Sequence, residues 1–536
     1  MCPAPSQSRG PRGRDPRSRD PPANSFSSAG QSLLTATPSR AIVPFSLPRL
    51  RKDFEAFLKE TQREEYRNGA GLKVELNTAA IFRRHAWLFG RDILERVRDF
   101  RREASGEEER RLRLLLAALA DEYLRNEVKE LTDRYGTETS KREVRVDGEV
   151  LPFRTSQVVM NNEDNRDRRK AIFEARNLVF ADLNAILRER METMHRIAME
   201  IGYDHYLQMF NDVKALDVPG VHRMMAEFLS RTASLYRRKM EEHLSRLGLD
   251  LDVAERFDTA YLFRGKEFDP SFPRERAVPV LKATLKGLGF DLAKQRNITL
   301  DVKERPRKSP RAFCAAIEIP ERIYLVTMPQ GGHDDVATLF HEAGHAEHFA
   351  NCGRRLPFEY KYLGDNSVTE GMAFLLEYVT LDRGWLERFA PGLDIGALLD
   401  FSYTYKLHFL RRYAAKLGYE MELHTKGVEG MDGAYARSLE AALLYRHPRE
   451  LYLADVDDAL YCANYLRAWV FEAQMAEALR EKFGDPWWAE KGAGKFLKSQ
   501  WAKGQKYDAV ELVRDLGYGG LDVDPLVERI ETNLAA

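Results

Sequence analysis

Apolar residues recur every three or four positions through most of the chain, which is the spacing of one face of an α-helix. This texture is strong over 50–248, where Glu, Lys and Arg separate the apolar positions. Two runs, 312–319 and 323–328, instead carry residues typical of strands on either side of a short turn, and they predict a β-hairpin. Helical texture resumes at Asp334 and continues almost to the C-terminus. The pattern therefore predicts a mainly α protein with one small sheet.

Composition separates a short N-terminal segment from the rest of the chain. Residues 1–45 are poor in large apolar side chains and rich in Pro, Ser, Gly and Arg. Such a segment cannot bury enough surface to offset the entropy lost on ordering, so we predict that it is disordered. We divide the remainder into an N-terminal helical region, 46–220, and a second region, 221–536, which carries the histidine motif described below.

Charge, cysteine content and hydropathy exclude several classes of protein. Lys plus Arg and Asp plus Glu both number 83, so the formal net charge is zero, unlike that of a typical nucleic-acid-binding domain. Several arginines in the first 20 residues are typical of a solvated tail. No apolar run approaches the ~18 residues of a membrane span, and the four scattered cysteines form no CxxC pair. We expect a cytoplasmic protein that binds neither nucleic acid nor membrane, and the sequence leaves its oligomeric state open.

Two histidines, His341 and His345, lie four residues apart. On a helix this spacing places both imidazoles on one face, one turn apart, as two ligands of a single ion require. Glu342 lies between them, where it can reach a water molecule at the same ion. Neutral imidazole suits zinc, and a catalytic zinc keeps three protein ligands and an open position for water. The alternative is a helix with two partly exposed histidines.

The third ligand has to come from outside this helix, and Glu370 is the candidate. It lies 29 residues after His341 (370 − 341 = 29), near the start of the next strongly helical segment. A second helix could bring its carboxylate to the ion. However, Ser367 and Glu370 also form the S-x-x-E pattern of a capping box, in which the carboxylate bonds only backbone N–H groups. Spacing alone does not separate the two interpretations.

The stretch 334–377 resembles the thimet oligopeptidase and oligoendopeptidase family of zinc peptidases. The matching residues are His341, Glu342, Ala343, Gly344 and His345, the trailing His348, and then Glu370 and Glu377. The resemblance implies one Zn²⁺ per chain with His341, His345 and Glu370 as ligands. It also implies a mainly α, zincin-type fold with a small β-sheet beside the active-site helix. Two lobes around a deep cleft would then admit short unfolded peptides and exclude folded proteins.

Two further residues near the motif take supporting roles in this interpretation. A fourth protein ligand would block the water position, so we expect His348 to be a structural histidine. Glu377 lies seven residues after Glu370, and it either orients a ligand imidazole or forms a surface salt bridge.

The family stabilises the oxyanion of its reaction with Tyr or His residues near the C-terminus, and Tyr461 and Tyr465 are the matching residues here. They lie four apart, so one helix face can aim both phenols at the cleft. The alternative is a pair of tyrosines packed in a helical core. The histidine and the glycine-rich approach that precede the family's tyrosines are missing, which leaves His447 as the candidate for that histidine.

The sequence thus predicts a zinc metallopeptidase that cuts short unfolded peptides internally, with Glu342 as the general base. A substrate could add as a strand to the edge of the predicted hairpin. An exopeptidase on the same scaffold, such as a carboxypeptidase or dipeptidyl carboxypeptidase, would use the same ligands. A non-catalytic zinc-binding scaffold is a third interpretation, and the intact Glu342 argues against it because binding alone needs no general base.

Overall fold

The computed structural model describes residues 45–535 and is mainly helical, as the periodicity predicts. The first helices are α1 (Leu47–Gly69), α2 (Thr78–Arg84), α3 (Arg91–Glu103), α4 (Gly106–Glu127), α5 (Lys129–Lys141), α6 (Phe153–Asn162), α7 (Arg166–Glu200), α8 (Tyr206–Lys214), α9 (Val218–Arg231), α10 (Ala233–Ser245), α11 (Arg256–Leu262) and α12 (Arg274–Gly287). The others are α13 (His333–Ala350), α14 (Phe358–Tyr362), α15 (Asn366–Glu377), α16 (Arg383–Phe389), α17 (Ile395–Lys426), α18 (Met431–Leu443), α19 (Tyr461–Phe483), α20 (Lys491–Trp501), α21 (Ala509–Asp515) and α22 (Asp524–Leu534). Apart from its last residue, the N-terminal segment predicted to be disordered lies outside the described residues, and the division near residue 220 stays a prediction.

The stretch 50–248, which the periodicity predicts as helical, also contains a β-hairpin. Strands β1 (Glu143–Val146) and β2 (Glu149–Pro152) pair antiparallel around Asp147 and Gly148. Both turn residues have positive φ, 52° and 80°, as a two-residue type I′ turn requires. This hairpin is an exception to the overwhelmingly helical pattern of the stretch and adds a second small sheet to the one that was predicted; the Asp-Gly pair was the signal that could have revealed it.

A three-stranded sheet lies against α13 and contains the hairpin that the sequence predicts. Strand β3 (Ile298–Asp301) was not predicted, whereas β4 (Phe313–Glu318) and β5 (Arg322–Val326) form the expected antiparallel pair. The strand order is β3-β5-β4, with β3 parallel to β5. This order makes β4 an edge strand of the sheet, and both hairpin strands contact α13.

Helix α15 packs between α13 and α19 and forms the centre of the second region. Residues 367–376 of α15 and 462–476 of α19 are buried without interruption. A helix that is buried on every side is surrounded by packed neighbours, so the start of α15 is held between α13 and α19. None of the helices between residues 45 and 535 combines the length and the apolar character that crossing a bilayer requires.

Candidate metal centre

Helix α13 carries His341 and His345 on one face, as their spacing predicts. The two rings lie 4.9 Å apart between centroids in an edge-to-face arrangement. The entry of the helix is fixed by Asp335, whose carboxylate accepts hydrogen bonds from the backbone N–H groups of Gln330 and Gly331 at 2.8 and 3.1 Å. The first turn of α13 is therefore anchored to the loop that follows the hairpin.

Glycines set the close approach of the helices around the two histidines. A Cβ atom on Gly344, within the histidine motif, would lie 2.6 Å from the Cα of Ala373 on α15. A Cβ on Gly371 would lie 2.3 Å from the ring of Phe471 on α19. Because both distances are too short for any larger residue, glycine is required at both crossings. The resulting contact brings Glu370 to the histidine face of α13.

The two interpretations of Glu370 are decided by where its carboxylate lies. Asp365 is the residue that caps α15, because its side chain accepts a hydrogen bond from the backbone N–H of Ser367 at 2.9 Å. Oε2 of Glu370 lies instead 3.4 Å from Nε2 of His341 and 3.8 Å from Nε2 of His345. The capping-box alternative for Glu370 is therefore wrong.

The other ring nitrogen of each histidine already has a partner. Nδ1 of His341 lies 2.8 Å from Oε2 of Glu377, and Nδ1 of His345 lies 2.9 Å from the hydroxyl of Thr369. These contacts fix the orientation of both rings and direct both Nε2 atoms toward Glu370. Glu377 thus contacts a ligand candidate rather than forming a surface salt bridge. The contact of Thr369 was not predicted, because no sequence pattern marks a threonine for this role.

The donor set fits a zinc ion. The ligand atoms of His341, His345 and Glu370 all lie within 4.8 Å of one another. Oε2 of Glu370 is buried and forms no hydrogen bond of normal geometry with any residue between 45 and 535, while Nε2 of His341, which could donate when protonated, lies 3.4 Å away. A buried carboxylate oxygen without a donor is costly, and a cation facing both imidazoles would satisfy it. Two nitrogens and one carboxylate oxygen are the usual protein ligands of a catalytic zinc with an open fourth position.

The charges of these residues depend strongly on one another. Burial lowers the pKa of His341, but the carboxylates of Glu370 and Glu377 outweigh burial and raise it to about 10. Burial lowers the pKa of His345 to about 3. Burial raises the pKa of Glu370, but His341, His345 and Tyr461 together bring it down to about 2. Metal ligation requires neutral imidazole, so a cation that bound here would displace the proton that the carboxylates favour on His341.

Glu342 lies between the two histidines and beside the sheet. Its Oε2 accepts a hydrogen bond from the backbone N–H of Cys314 in β4 at 2.8 Å. Burial raises the pKa of this carboxyl group to about 7, against the opposing effect of His341. The carboxyl group is therefore held at the junction of α13 and the edge strand, and burial favours its protonated form.

The two tyrosines at the start of α19 have different surroundings. The hydroxyl of Tyr461 donates to Oε1 of Glu370 at 2.6 Å, so this residue holds the ligand candidate in place. The hydroxyl of Tyr465 forms no hydrogen bond with the part of the chain that the structure describes. Its ring packs 4.9 Å from that of Tyr461, and the charge of Glu370 and burial both raise its pKa. Tyr465 therefore keeps a hydroxyl donor free beside the site, although most of its side chain is packed.

Two other histidines of the sequence analysis lie away from the cluster. His348 is buried, and its Nε2 lies 3.3 Å from the backbone oxygen of Gly504, as expected for a structural histidine. Nε2 of His447 lies 3.2 Å from both Arg256 and the hydroxyl of Tyr435. None of these partners belongs to the candidate centre, so His447 is not brought to it.

Comparison with known proteins adds no family to this geometry. No family model matches the chain, and no curated protein matches it. The chemistry of the site therefore rests on its own residues.

Proposed function

We propose that the chain is a zinc-dependent metallopeptidase that hydrolyses short unfolded peptides and holds one zinc ion with His341, His345 and Glu370. The observation that carries this proposal is the convergence of the buried Oε2 of Glu370 with the Nε2 atoms of two imidazoles, 3.4 and 3.8 Å away, with no hydrogen bond of normal geometry to that oxygen from the described residues. The carboxyl group of Glu342, the residue after His341, is close enough to His341 and Glu370 for their charges to act on its pKa. The resemblance of 334–377 to the thimet oligopeptidase family supports the same assignment.

The residues around the site have the groups that peptide hydrolysis needs. A zinc ion bound here would lower the pKa of the attacking water and polarise the scissile carbonyl. Glu342 takes a proton from the attacking water and passes it to the leaving amine. Tyr465 donates its free hydroxyl to the oxyanion of the tetrahedral intermediate. Tyr461 cannot do this while its proton is committed to Glu370, so we assign it a positioning role.

The edge strand β4 offers a place for an extended peptide. β4 has β5 on one side and no strand on the other within residues 45–535. The N–H of Cys314 donates to Glu342, so this strand and the general base are in direct contact. A substrate that added to this edge would gain main-chain hydrogen bonds beside the catalytic carboxyl group. Only an unfolded segment has a free backbone to pair in this way, which favours short peptides.

A zincin-type fold with two lobes around a deep cleft is part of the proposal. Helix α1, from the N-terminal helices, contacts β4 and so stands close to the site. Tyr405 exposes 41% of its surface, yet burial raises its pKa. A side chain that water reaches but protein surrounds lies in a concave surface, and the charges of Asp334 and Glu377 act on this tyrosine. These observations support a water-filled cleft in front of the metal helices.

The decisive experiment combines metal analysis with digestion of a mixed peptide library, with and without a chelator. We expect one zinc per chain, and cleavage that the chelator abolishes. A Glu342→Gln variant should keep zinc and lose roughly 100- to 10,000-fold in turnover. Glu347→Gln, on the same helix but bonded to Gln295 and Asn351, is the matched control and should cleave normally. Zinc-loaded parent and Glu342→Gln proteins that are equally inert would instead indicate a non-catalytic scaffold.

Tyr465→Phe tests the assigned donor. It removes one hydroxyl group and should lower turnover roughly 100- to 1,000-fold, with little change in peptide affinity. Mass spectrometry of the products and steady-state kinetics would separate the two effects. Unchanged turnover would remove Tyr465 from the mechanism and leave the metal assignment intact.

A further inference from the structure

A cavity of about 200 Å³ lies beside the start of α15, away from the three ligand candidates. It is enclosed by α1, by one face of α4, by the segment 362–366 that leads into α15, and by Asn464 of α19. Asn366 in its wall precedes Glu370 by four residues, so one helical turn of roughly 6 Å separates the cavity wall from the ligand carboxylate. The cavity is therefore a neighbour of the candidate centre.

Three of the seven charged groups in the cavity wall form ion pairs within the described residues. These pairs are Asp121 with Arg125, Asp365 with Arg467, and Lys506 with Glu107. Asp508 caps α21, where its side chain accepts a hydrogen bond from the backbone N–H of Glu511 at 2.8 Å. The three pairs leave little charge for a ligand, whereas Asp508 keeps a carboxyl group whose pKa is raised by burial.

Two cations in the wall form no ion pair within the described residues, although the charges of Glu109 and Asp508 act on Arg113 and that of Asp121 acts on Lys214. Arg113 lines the cavity from α4 and forms no hydrogen bond or ion pair with any residue between 45 and 535. Lys214, at the end of α8, donates to the backbone oxygen of Ala459 at 2.8 Å and has no acidic partner in that range. Burial lowers the pKa of both groups, which shows that each is held in a poorly solvated place. An unpaired guanidinium and an unpaired ammonium in one cavity are suited to an anion.

The same wall also offers hydrogen-bond acceptors. Oδ1 of Asn464 is buried and accepts no hydrogen bond, while its Nδ2 donates to Asp365 and Ser367. Oε2 of Glu122 is likewise buried and without a donor. Peptide N–H groups next to a carboxylate would supply those donors. Glu122 also allows the opposite arrangement, in which it binds an ammonium group, but burial raises its pKa to about 7 and so weakens its charge.

We propose that this cavity binds a carboxylate of the peptide substrate through Arg113 and Lys214, and so selects peptides by an anionic end or side chain. This inference rests on the proposed peptidase function. One helical turn separates the cavity wall from Glu370, and an extended chain covers roughly 3.3–3.6 Å per residue. The bound carboxylate therefore lies at least about two residues from the bond that is cut. A C-terminal carboxylate would give short released fragments of defined length, and an acidic side chain would give internal cleavage next to Asp or Glu.

The test measures binding directly, on the zinc-loaded Glu342→Gln protein, so that it does not depend on turnover. Calorimetry compares an acetylated neutral hexapeptide that ends in a free carboxylate with the same peptide ending in an amide. We expect the carboxylate form to bind roughly tenfold or more tightly, as a charge-assisted contact warrants. A third peptide, amidated but with Glu as its last residue, separates the two sources. If it binds as well as the free carboxylate, a side chain can serve, and if it binds weakly, the C-terminus is required.

Further substitutions in the zinc-loaded Glu342→Gln protein test whether the preference for the carboxylate peptide comes from this cavity. Arg113→Gln should reduce the carboxylate preference to near onefold, and Lys214→Met should reduce it in part. Because Arg113 forms no ion pair within the described residues, Arg113→Gln should leave the melting temperature unchanged. Arg113→Lys is a second variant, which keeps the positive charge and should keep most of the preference for the carboxylate peptide. Arg102→Gln is the matched control, since Arg102 is 70% exposed and, within the described residues, pairs with Asp99 of its own helix. It should keep the full preference.

Three results would overturn the inference. The first is equal affinity for the carboxylate and amide peptides, or no measurable binding of either. The second is a carboxylate preference that survives Arg113→Gln. The third is tighter binding of the same peptide with a free N-terminus than of the acetylated one, an advantage that is lost in Glu122→Gln. The last result would make the cavity an ammonium site. Zinc content and library cleavage by the parent protein are measured in parallel. If the parent prefers carboxylates but cleaves nothing, the proposed peptidase function fails and the anion site in the cavity stands. If the parent cleaves peptides without a carboxylate preference, the anion site fails and the peptidase function stands.

Discussion

Two clusters of metal-binding side-chain types occur in the described part of the chain, and they differ in one respect. The histidine site consists of His341, His345 and Glu370, and the lysine-filled cluster consists of Glu420, Asp457 and Cys462. In each, the ligand atoms lie within 4.8 Å of one another. In the lysine-filled cluster, Nζ of Lys416 lies 2.7 Å from Oδ2 of Asp457 and 3.6 Å from Oε1 of Glu420. No lysine or arginine within residues 45–535 forms an ion pair with Glu370.

The difference shows that residue types and distances alone do not distinguish a candidate metal centre from a cluster that a lysine neutralises. Burial lowers the pKa of Lys416, but Glu420, Asp455 and Asp457 outweigh burial and raise it, so the ammonium stays charged and neutralises its cluster. The histidine site instead contains a buried carboxylate oxygen without a donor and two imidazoles whose other nitrogens are occupied. In one cluster a lysine supplies a fixed positive charge, whereas in the other the positive charge beside Glu370 is a proton on His341, which a bound metal ion would displace.

Replacing the lysine should give the largest effect. Lys416→Met would leave two carboxylates without their cation, and we expect the free energy of unfolding to fall by about 3–5 kcal/mol. Denaturant unfolding followed by circular dichroism measures it. Lys426→Met is the control, because Lys426 forms an exposed pair with Glu422 on the same helix that contributes at most about 0.5 kcal/mol. A loss below about 1 kcal/mol in Lys416→Met would mean that the lysine does not neutralise the cluster.

Removing one carboxylate from each cluster should change zinc affinity in the histidine site and leave it unchanged in the lysine-filled cluster. Structural zinc sites bind with roughly 10–16 kcal/mol shared among four ligands, so Glu370→Gln should weaken zinc roughly 100- to 1,000-fold. Glu420→Gln should leave zinc affinity unchanged. Competition with a chromogenic chelator measures both, and zinc should raise the melting temperature of Glu420→Gln as it does that of the parent. Equal losses in the two variants would abolish the distinction between the clusters.

A smaller effect is expected from the partner of His341. The carboxylate of Glu377 orients this imidazole and raises its basicity. Glu377→Gln removes that charge, so zinc affinity should fall about 10- to 100-fold. The same chelator competition measures it, with Glu347→Gln as the control on α13. If Glu377→Gln bound zinc as tightly as the parent, the ring would be oriented by its packing alone.

The smallest predicted change distinguishes the two tyrosines. Tyr461→Phe removes the donor to Oε1 of Glu370 and should weaken zinc by about tenfold or less, because one hydrogen bond to a carboxylate is lost. Tyr465→Phe should bind zinc like the parent, since its hydroxyl has no partner among the described residues. Zinc titration of both variants provides the measurement. A loss in Tyr465→Phe and none in Tyr461→Phe would reverse the assigned roles.

The sequence by itself determined the parts that depend on neighbours along the chain. Helical periodicity predicted the mainly α fold, and the two strand-like runs before α13 predicted the pair β4 and β5, which the structure confirms. The four-residue spacing of His341 and His345 placed both rings on one helix face. These features follow from the 3.6-residue and two-residue periods of helices and strands, and such periods are local.

Only the tertiary structure decided the features that depend on contacts between distant segments. Spacing left Glu370 equally suited to a cap and to a ligand, and the close crossing of α13 and α15 at Gly344 determined which way its carboxylate points. The surroundings of Tyr461 and Tyr465 likewise differ only because of the way α19 packs on α15, which no sequence spacing indicates. Lys416 looked like any other charged residue until the fold placed it between Glu420 and Asp457. The physical reason is that burial, partner choice and neutralisation are set by packing across hundreds of residues, which no local pattern encodes.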